Sequence, residues 1–237
     1  MNRNSKAKIG ILCWEAGLVS KGLQQLEKLK GNSTNPESYD YPVLIRRVKG
    51  ASAQTIVIQP DENVLNAMVE EMKVMISMGV EAITTSCGFN AIHQKRLAKS
   101  VNVPVFTSSI MQVPFVWHTL GPNQSVGVIT SRKKYLTAEH FRNAGVSEDI
   151  PVHVIGMDDC PEWNSKVYQS SEEDLDPKAI EKEMISVALK ALKHHPDIGA
   201  FVLECTDMPP FAPAIRQATR LPVFDFISMV NYVYQAL

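Results

Sequence analysis

The chain has 237 residues, of which 45% are hydrophobic and 21% are charged. With 24 basic and 25 acidic side chains its formal net charge is −1 at pH 7, so it offers no electrostatic field that would attract nucleic acid or an anionic membrane. The apolar run at residues 9–14, after a polar N-terminal segment, is too short for a signal-peptide core or a membrane span. We therefore expect a cytoplasmic protein whose partner is a small molecule.

Four cysteines are scattered along the chain, at Cys13, Cys87, Cys160 and Cys205. They form no CxxC pair and no Cys/His cluster at zinc-finger spacing, which predicts free thiols and no metal site. A GxGxxG fingerprint and a P-loop are also missing from the sequence, so we expect no cofactor. Cys13 is expected to pack within a strand, and Cys160, in the polar stretch 158–162, is expected to be a surface thiol.

Short apolar runs alternate with longer helical patterns along the whole chain. This alternation predicts an α/β fold with a mainly parallel sheet. The clearest helix begins after the cap Asp176, and a second is predicted over the Met-rich stretch 64–78. Residues 31–41 are predicted to be a loop long enough to cover a site. The predicted strands are residues 8–13, 55–58, 81–85, 103–106, 125–130, 152–155, 200–203 and 222–226.

The chain contains an internal repeat. Residues 81–106 and 199–224 both read as strand, Cys, turn, helix and Pro-Val-Phe, with Cys87 and Cys205 each 17 residues before the proline. The cysteines and the prolines are displaced by the same 118 positions. This spacing predicts two pseudo-symmetric, flavodoxin-like halves, residues 1–115 and 116–237, with a C-terminal helix that could cross over into the first half.

The repeated cysteines are candidates for acid/base chemistry. Ligands of open α/β sheets bind at the carboxyl ends of the strands, and both Cys87 and Cys205 lie there, in strand-to-helix turns. Turn N–H groups favour a thiolate. If a pseudo-twofold axis relates the halves, the thiols face each other across one cleft, so that one removes a proton and the other returns one to the opposite face.

Removal of a proton next to a carboxylate also requires stabilisation of the enediolate-like charge. Hydroxyl groups and backbone N–H groups can supply it. The candidates for this substrate-binding role are Thr206, the turn at Gly88 and Phe89, and further Asn90 and Thr130.

The motifs Thr-Thr-Ser-Cys87-Gly-Phe and Leu-Glu-Cys205-Thr-Asp-Met-Pro-Pro resemble those of the aspartate/glutamate racemase superfamily. Shorter matches, such as Ile-Gly-Ile-Leu and Val-Gly-Val-Ile-Thr, extend the resemblance over nearly the whole chain. It implies two halves with the active site between them, no pyridoxal phosphate and no metal. It also implies that Cys87 and Cys205 are the two catalytic residues.

The chain departs from glutamate racemases around the predicted site. Those enzymes have Asp-Ser-Gly after the first strand and Gly-Cys-Thr-His at the second thiol, whereas this chain has Cys-Trp14-Glu15 and Glu-Cys-Thr-Asp207. Trp14 and Phe89 would make the pocket more apolar. Glu15 or Asp207 could bind an ammonium group or could be surface carboxylates, and an ordinary glutamate racemase is disfavoured.

These observations predict an isomerase: a cofactor-independent racemase or epimerase of an amino acid or hydantoin-like substrate. One alternative is a maleate isomerase-like enzyme, in which one thiolate adds to a double bond and Tyr135 donates to a substrate carboxylate. Others are a decarboxylase, which would need one cysteine, and a binding protein without turnover. A homodimer is the base-rate expectation for such enzymes.

Overall fold

The computed structural model describes residues 6–169 and 171–237. Its strands form two four-stranded parallel sheets, with the orders β2-β1-β3-β4 and β6-β5-β7-β8. The same strand order in both sheets confirms the predicted fold class of two pseudo-symmetric α/β halves. The strands are β1 Ile9–Cys13, β2 Val43–Arg47, β3 Ala82–Thr85, β4 Val105–Phe106, β5 Ser125–Thr130, β6 Val152–Gly156, β7 Ile198–Leu203 and β8 Val223–Phe224.

Helices connect and cover the strands. The α-helices are α1 Lys21–Leu26, α2 Glu62–Ser77, α3 Gln94–Lys99, α4 Val113–His118, α5 Ala138–Asn143, α6 Pro161–Trp163, α7 Pro177–His194, α8 Ala212–Thr219 and α9 Phe226–Gln235. Short 3₁₀ segments are Ala16–Leu18, Pro36–Ser38, Gly88–His93, Ser109–Gln112, Lys133–Tyr135 and Pro209–Phe211, and π-helical turns are Ala53–Ile58 and Asn164–Tyr168. Within the described residues no helix is both long and apolar enough to cross a membrane.

The central strands are buried along their whole length. Every residue of β1, β3, β5 and β7 is buried, whereas the edge strands β2 and β6 are partly exposed. A strand covered on both faces needs apolar residues at successive positions, which is why these segments read as continuous apolar runs. Gly10 and Gly127 occupy matching places in β1 and β5, and a Cβ there would lie 2.7 Å from Met75 Sδ and 2.8 Å from the Phe201 ring.

Two predicted helices are confirmed. Asp176 caps α7 by accepting a hydrogen bond from the Lys178 backbone N–H at 2.9 Å. Asp61 caps α2 in the same way, and Met68, Met72 and Met75 of α2 are at most 2% exposed. The methionines therefore pack in the core, as their helical spacing indicates.

The predicted strand at 55–58 is wrong. Residues Ala53–Ile58 form a π-helical turn, and the edge strand of the first sheet is β2, which pairs in parallel with β1. The turn is held by a capping box in which the Ser52 side chain accepts from the Thr55 backbone N–H. Ile56 is the one residue of this turn that is buried, so a single side chain of the apolar run packs in the core and the others remain partly or fully exposed.

The prediction that Cys160 is a surface thiol is also wrong. Its side chain is 8% exposed and contacts Met157 Sδ at 3.9 Å. Cys160 immediately precedes α6, whose Trp163 is completely buried in the same hydrophobic cluster as Met184 of α7. Its neighbour Asp159 is exposed, whereas Asp158 and Glu162 are half-buried and accept hydrogen bonds from the backbone N–H groups of Lys133 and Asp176.

The C-terminal helix α9 packs against the first sheet. Phe226, Met229 and Val230 of α9 form one buried cluster with Ile9 and Ile11 of β1. The last helix of the chain therefore covers the sheet formed by its first strands.

Candidate active site

A cleft opens at the carboxyl ends of the central strands of both sheets. Its empty space, including the open mouth, is about 1050 Å³. Segments that directly follow β1, β3, β5 and β7 contribute to it, so the two sheets form one shared site. The lining residues are Trp14, Leu18, Val19, Ser20, Leu23, Glu27, Thr34, Ala53, Val57, Ile58, Ser86, Cys87, Gly88, Phe89, Ser131, Arg132, Val167, Tyr168, Glu204, Cys205, Thr206 and Asp207.

Cys87 lies in the turn after β3 and is 7% exposed. Burial, with the nearby Glu204 carboxyl, raises the pKa of its thiol well above the ordinary value, and the backbone N–H groups of Phe89 and Asn90 oppose this by pointing to the sulfur. The pKa remains raised, because the free-energy cost of removing a thiolate from water exceeds the stabilisation that two N–H groups provide. In the free protein Cys87 is therefore a neutral thiol at pH 7.

Cys205 has a carboxyl partner. Its Sγ lies 3.7 Å from Asp207 Oδ2, and Asp207 Oδ1 accepts a hydrogen bond from Asn32 Nδ2 at 2.7 Å. Burial and the Asp207 carboxyl raise the pKa of Cys205 well above the ordinary value, and burial raises the pKa of Asp207 to about 6. Thiol and carboxylate thus form a hydrogen-bonded pair in which Asp207 is largely ionised at pH 7.

Glu204, the residue before Cys205, is fully buried. Its Oε2 accepts a hydrogen bond from Thr130 Oγ1 at 2.9 Å, whereas Oε1 has no hydrogen-bond partner among the described residues. Burial raises the pKa of this carboxyl to about 7. Sequence reasoning missed Glu204, although a charged residue directly after an apolar strand is a signal that could have found it.

The close approach of Glu204 explains why residue 88 is glycine. A Cβ at Gly88 would lie 2.2 Å from both the backbone oxygen and Oε1 of Glu204. Such distances are far below any van der Waals contact, so a larger residue would force the two halves apart at the site. Gly88 thus permits the turn that carries Cys87 to pack directly on the residue preceding Cys205.

The two cysteine turns are also joined by a hydrogen bond. Thr206 Oγ1 donates to the backbone oxygen of Ser86 at 2.6 Å, and the backbone N–H of Ser33 donates to the oxygen of Thr206 at 3.3 Å. The Thr206 hydroxyl, predicted to stabilise substrate charge, is therefore engaged in holding the halves together, although Thr206 does line the cleft.

Aromatic side chains and an arginine form the remaining walls. Trp14 and Phe89 line the cleft as the sequence suggested, and Tyr168 lies against the Arg132 guanidinium, 3.6 Å from ring centroid to Cζ. Leu18 and Ile58, 51% and 43% exposed, form part of the mouth. Arg132 and Tyr168 were missed, because neither belongs to a motif and both reach the cleft through the packing of the second half.

Four predicted site residues lie outside the lining of the cleft. Glu15 Oε2 accepts from the Gly50 backbone N–H at 2.7 Å, and Tyr135 stands in a 3₁₀ turn with Lys134 Nζ 4.7 Å from its ring centroid. Asn90 and Thr130 are buried behind the cleft. They bond, respectively, to Thr85 Oγ1 at 3.1 Å and to Glu204, and so support the site from below.

The loop 31–41 is packed against the site. Asn32 and Ser33 are completely buried, and both bond to the Cys205 turn, Asn32 through Asp207 and Ser33 through Thr206. Thr34 lines the cleft. The beginning of this loop is therefore part of the wall, and its contribution to the site is Asn32, which orients Asp207.

A group with the residue types of a metal site lies away from the cysteines. Donor atoms of His153, His195 and Asp197 are within 4.8 Å of one another, at the amino ends of β6 and β7. However, the two imidazole rings stack with centroids 3.9 Å apart, and His153 Nε2 already bonds to Asp197 Oδ2 at 2.9 Å. Stacked rings direct their in-plane lone pairs side by side instead of towards one ion, so we interpret the group as a hydrogen-bonded pair with a stacked neighbour.

Comparison with solved structures identifies the fold. The allantoin racemase from Klebsiella pneumoniae matches with a TM-score of 0.65 and 13% identity, covering 97% of this chain and 88% of that one. The allantoin racemase from Pseudomonas fluorescens matches with a TM-score of 0.62 and 16% identity over 97% and 89% of the two chains, and an aspartate racemase from Picrophilus torridus with 0.56 and 15% over 92% and 89%. The chain has the fold of the aspartate/glutamate racemase superfamily, as its motifs indicated.

Curated relatives, however, carry the name of a different activity. A dimethylsulfoniopropionate lyase from Durusdinium sp. clade D is 29% identical over 86% of this chain. Dimethylsulfoniopropionate lyases 7 and 3 from Emiliania huxleyi are 29% and 30% identical over 87% of it. The chain spans 69%, 62% and 56% of the lengths of these three relatives. No family model matches the chain.

These relatives contradict the predicted function. The predicted racemase or epimerase activity is wrong, because the similar proteins are named for a lyase activity. The assignment to the isomerases is wrong for the same reason. The physical reason is that both reactions can begin with the same step, removal of a proton next to a carboxylate. The prediction from the cysteine motifs concerned that first step alone and did not distinguish a racemase from a lyase.

Proposed function

We propose that the protein is a lyase that cleaves a sulfonium carboxylate of the dimethylsulfoniopropionate type by β-elimination. A base removes a proton from the carbon next to the carboxylate, and that electron pair forms the C=C bond. The C–S bond breaks with its electrons on sulfur, so that a neutral sulfide leaves and an unsaturated carboxylate remains. The observation that carries the proposal is the Cys205–Asp207 pair, a thiol with its own proton acceptor, in a chain similar to such lyases.

In this proposal Cys205 is the base. Asp207, with a pKa of about 6, is ionised at pH 7 and can accept the thiol proton across their 3.7 Å contact. The thiolate then takes the proton from the substrate. A bound sulfonium cation would favour both ionised forms, since an opposite charge nearby offsets the cost of burying them.

The charge distribution of the cleft suits a substrate that carries one positive and one negative group. Arg132 can bind the carboxylate through a bidentate hydrogen bond. The faces of Trp14 and Phe89 and the acidic groups of the lining suit the sulfonium group, because an aromatic face attracts a cation.

In a lyase of this kind the second thiol does not have to transfer a proton, as it does in a racemase. The leaving sulfide is neutral and requires no proton, whereas a racemase must return a proton to the opposite face of the carbon. We therefore assign Cys87, a buried neutral thiol, to shaping and polarising the site rather than to an obligatory proton transfer.

The test is to incubate the purified protein with dimethylsulfoniopropionate and to measure dimethyl sulfide by gas chromatography and acrylate by NMR. The wild type should release both in equal amounts, and Cys205→Ala should abolish release. Cys87→Ala should retain measurable turnover. Cys160→Ala is the matched control, since this buried cysteine lies in the core of the second half. Absence of product from the wild type, or full activity of Cys205→Ala, would refute the proposal.

A further inference from the structure

The cleft is asymmetric although the two halves that form it share one strand order. Gly10 and Gly127 occupy matching places in β1 and β5 and are 117 positions apart (127 − 10). The same displacement relates Trp14 to Ser131 (131 − 14), and each of these two residues directly follows a central strand and lines the cleft. Equivalent positions therefore have a large indole in the first half and a small hydroxyl group in the second.

The two π-helical turns differ in the same way. Ala53–Ile58 comes after β2 and Asn164–Tyr168 comes after β6, so each lies in the segment that follows the edge strand of its own sheet. Each turn contributes its last two residues to the cleft, Val57 and Ile58 from the first half and Val167 and Tyr168 from the second. The first turn thus adds aliphatic side chains, whereas the second adds Tyr168, whose ring lies against the Arg132 guanidinium.

The second half provides the groups that act on the carboxylate end of the proposed substrate. Arg132, the proposed ligand of the carboxylate, and Cys205, the proposed base, both belong to this half and line the cleft. The proton is removed from the carbon next to the carboxylate, so these two groups hold that end of the substrate against the second half. The sulfur is at the other end of the substrate and therefore lies towards the first half.

The wall that the first half contributes is largely apolar. Among its lining residues the one charged group is Glu27, and this carboxylate is already paired with Arg47 Nη2 at 3.0 Å. At the mouth, Leu18 and Ile58 are 51% and 43% exposed. Their exposed surface is accessible to a ligand, and a nonpolar group that covers it is stabilised by removal from water.

The cleft is also larger than a dimethylsulfonium substrate requires. Its empty space of about 1050 Å³, open mouth included, is at the upper end of the range of about 300–1,000 Å³ that is typical of sites for drug-sized ligands. Dimethylsulfoniopropionate is much smaller than such a ligand, and two methyl groups on sulfur cover little of the apolar wall. Longer carbon chains on sulfur would cover more of it.

We propose that the first-half wall at Trp14, Leu18 and Ile58 is a subsite for the substituents on sulfur, and that the protein cleaves sulfonium carboxylates whose S-alkyl groups are longer than methyl. This inference rests on the proposed elimination and defines its class of substrate. The bond changes are the same: the carbon next to the carboxylate loses a proton, the C=C bond forms, and the C–S bond breaks with its electrons on sulfur. A dialkyl sulfide leaves in place of dimethyl sulfide.

The first test compares the cleavage of dimethylsulfoniopropionate with that of dibutylsulfoniopropionate. The wild type should have a KM about tenfold or more lower for the dibutyl substrate, because each buried methylene contributes about fourfold to binding. Leu18→Ser should remove most of this difference. Leu189→Ser is the matched control, since Leu189 on α7 is 45% exposed and lies outside the lining of the cleft. A KM for the dibutyl substrate that equals or exceeds the dimethyl value in the wild type would overturn the inference.

A binding measurement separates this inference from the proposed function. Dimethylsulfonioacetate and dibutylsulfonioacetate cannot undergo the elimination, because their sulfur is bonded to the carbon next to the carboxylate. Calorimetry should give a dissociation constant about tenfold or more lower for the dibutyl compound, and Leu18→Ser should remove the difference while Leu189→Ser should not. This result in a protein that cleaves neither propionate would refute the elimination and retain the subsite. Cleavage of dimethylsulfoniopropionate with equal dissociation constants for the two acetates would refute the subsite and retain the elimination.

The exposed surface of Leu18 could instead contact a second copy of the chain. In that case Leu18→Ser would change the oligomeric state in size-exclusion chromatography and leave the dissociation constants of both acetates unchanged. That outcome would also overturn the inference, because the wall would then be covered by protein and not by the substituents on sulfur.

Discussion

Asp207 Oδ2 lies 3.7 Å from Cys205 Sγ, and the other oxygen of the same carboxyl is held by Asn32 at 2.7 Å. The contact combines a thiol that is hard to ionise with a carboxylate that is easy to protonate. Asn32 belongs to the first half of the chain and Cys205 to the second, so this arrangement exists only when the halves pack together.

The Asp207 carboxyl has two functions, to accept the thiol proton and to contact Asn32 and Cys205, and Asp207→Asn should separate them. The amide retains the contacts with Asn32 and Cys205 but cannot accept the thiol proton, so turnover at pH 7 should fall about 10²-fold or more. The acidic limb of the wild-type pH profile, expected near the Asp207 pKa of about 6, should move to a pH above the ordinary range of a cysteine thiol, because burial keeps the pKa of Cys205 raised. Asp174→Asn, at an exposed position, is the control. An unchanged pH profile would contradict the proton-acceptor role.

Gly88→Ala should destabilise the protein. Its Cβ would lie 2.2 Å from the Glu204 backbone oxygen, and relief requires the two cysteine turns to move apart. We expect a loss of about 1–3 kcal/mol in the free energy of unfolding, measured by urea denaturation, together with a loss of turnover. Gly17→Ala is a matched control, since a Cβ at Gly17 meets nothing within 4 Å. Equal stability of the two variants would show that the turns have more freedom than their packing indicates.

Arg132 should be required for binding the carboxylate end of the substrate. Arg132→Lys retains the charge but loses the fork of donors and the stacking on Tyr168, so KM should rise about tenfold or more with a smaller effect on kcat. Steady-state kinetics with dimethylsulfoniopropionate measure this, with Lys134→Ala, an exposed cation nearby, as the control. If KM were unchanged, another group would have to bind the carboxylate.

Stability should decrease between about pH 4 and pH 7 because two carboxyls are easier to protonate in the folded chain. The folded-state pKa values of Glu204 and Asp207, about 7 and about 6, exceed the ordinary values of 4.5 and 3.8. A carboxyl whose pKa is raised on folding binds more protons in the folded state, so its contribution is complete at low pH and is lost as the pH rises through the folded pKa. Each shift corresponds to roughly 3 kcal/mol at most.

The measurement is the free energy of unfolding in urea at pH 5 and at pH 7.5, for the wild type and for Glu204→Gln. The wild type should be less stable at pH 7.5, and the glutamine variant should lose part of this difference, because it cannot ionise. A larger difference in the variant than in the wild type would mean that Glu204 is ionised in the folded protein.

The sequence alone determined the fold class and the position of the thiols. Strands that are buried on both faces, such as β5, are continuous apolar runs, and long helices such as α7 carry their own caps, so local patterns suffice to predict them. The equal displacement of Cys87 and Cys205 from the Pro-Val-Phe motifs placed both at the same edge of their sheets, and the structure finds both in one cleft.

Only the tertiary structure decided which groups accompany the thiols. Arg132 and Tyr168 meet in the cleft through a contact between segments distant in sequence, and no periodicity encodes such a contact. Glu204 adjoins Cys205 in sequence, but its burial against Gly88 depends on the packing of the two halves. The π-helical turn Ala53–Ile58 escaped prediction for a related reason. A short run of apolar residues is compatible with a strand or a helical turn, and the choice depends on what covers it.

The prediction of the activity also depends partly on the sequence and partly on the tertiary structure. Paired thiols beside turn N–H groups are a local arrangement, and from them the sequence predicted proton removal next to a carboxylate, a step that the proposed elimination retains. Whether the carbanion-like intermediate takes a proton back or expels a leaving group depends on the charges and shape of the whole cleft. Those are set by the packing of two halves against each other, which only the folded chain contains.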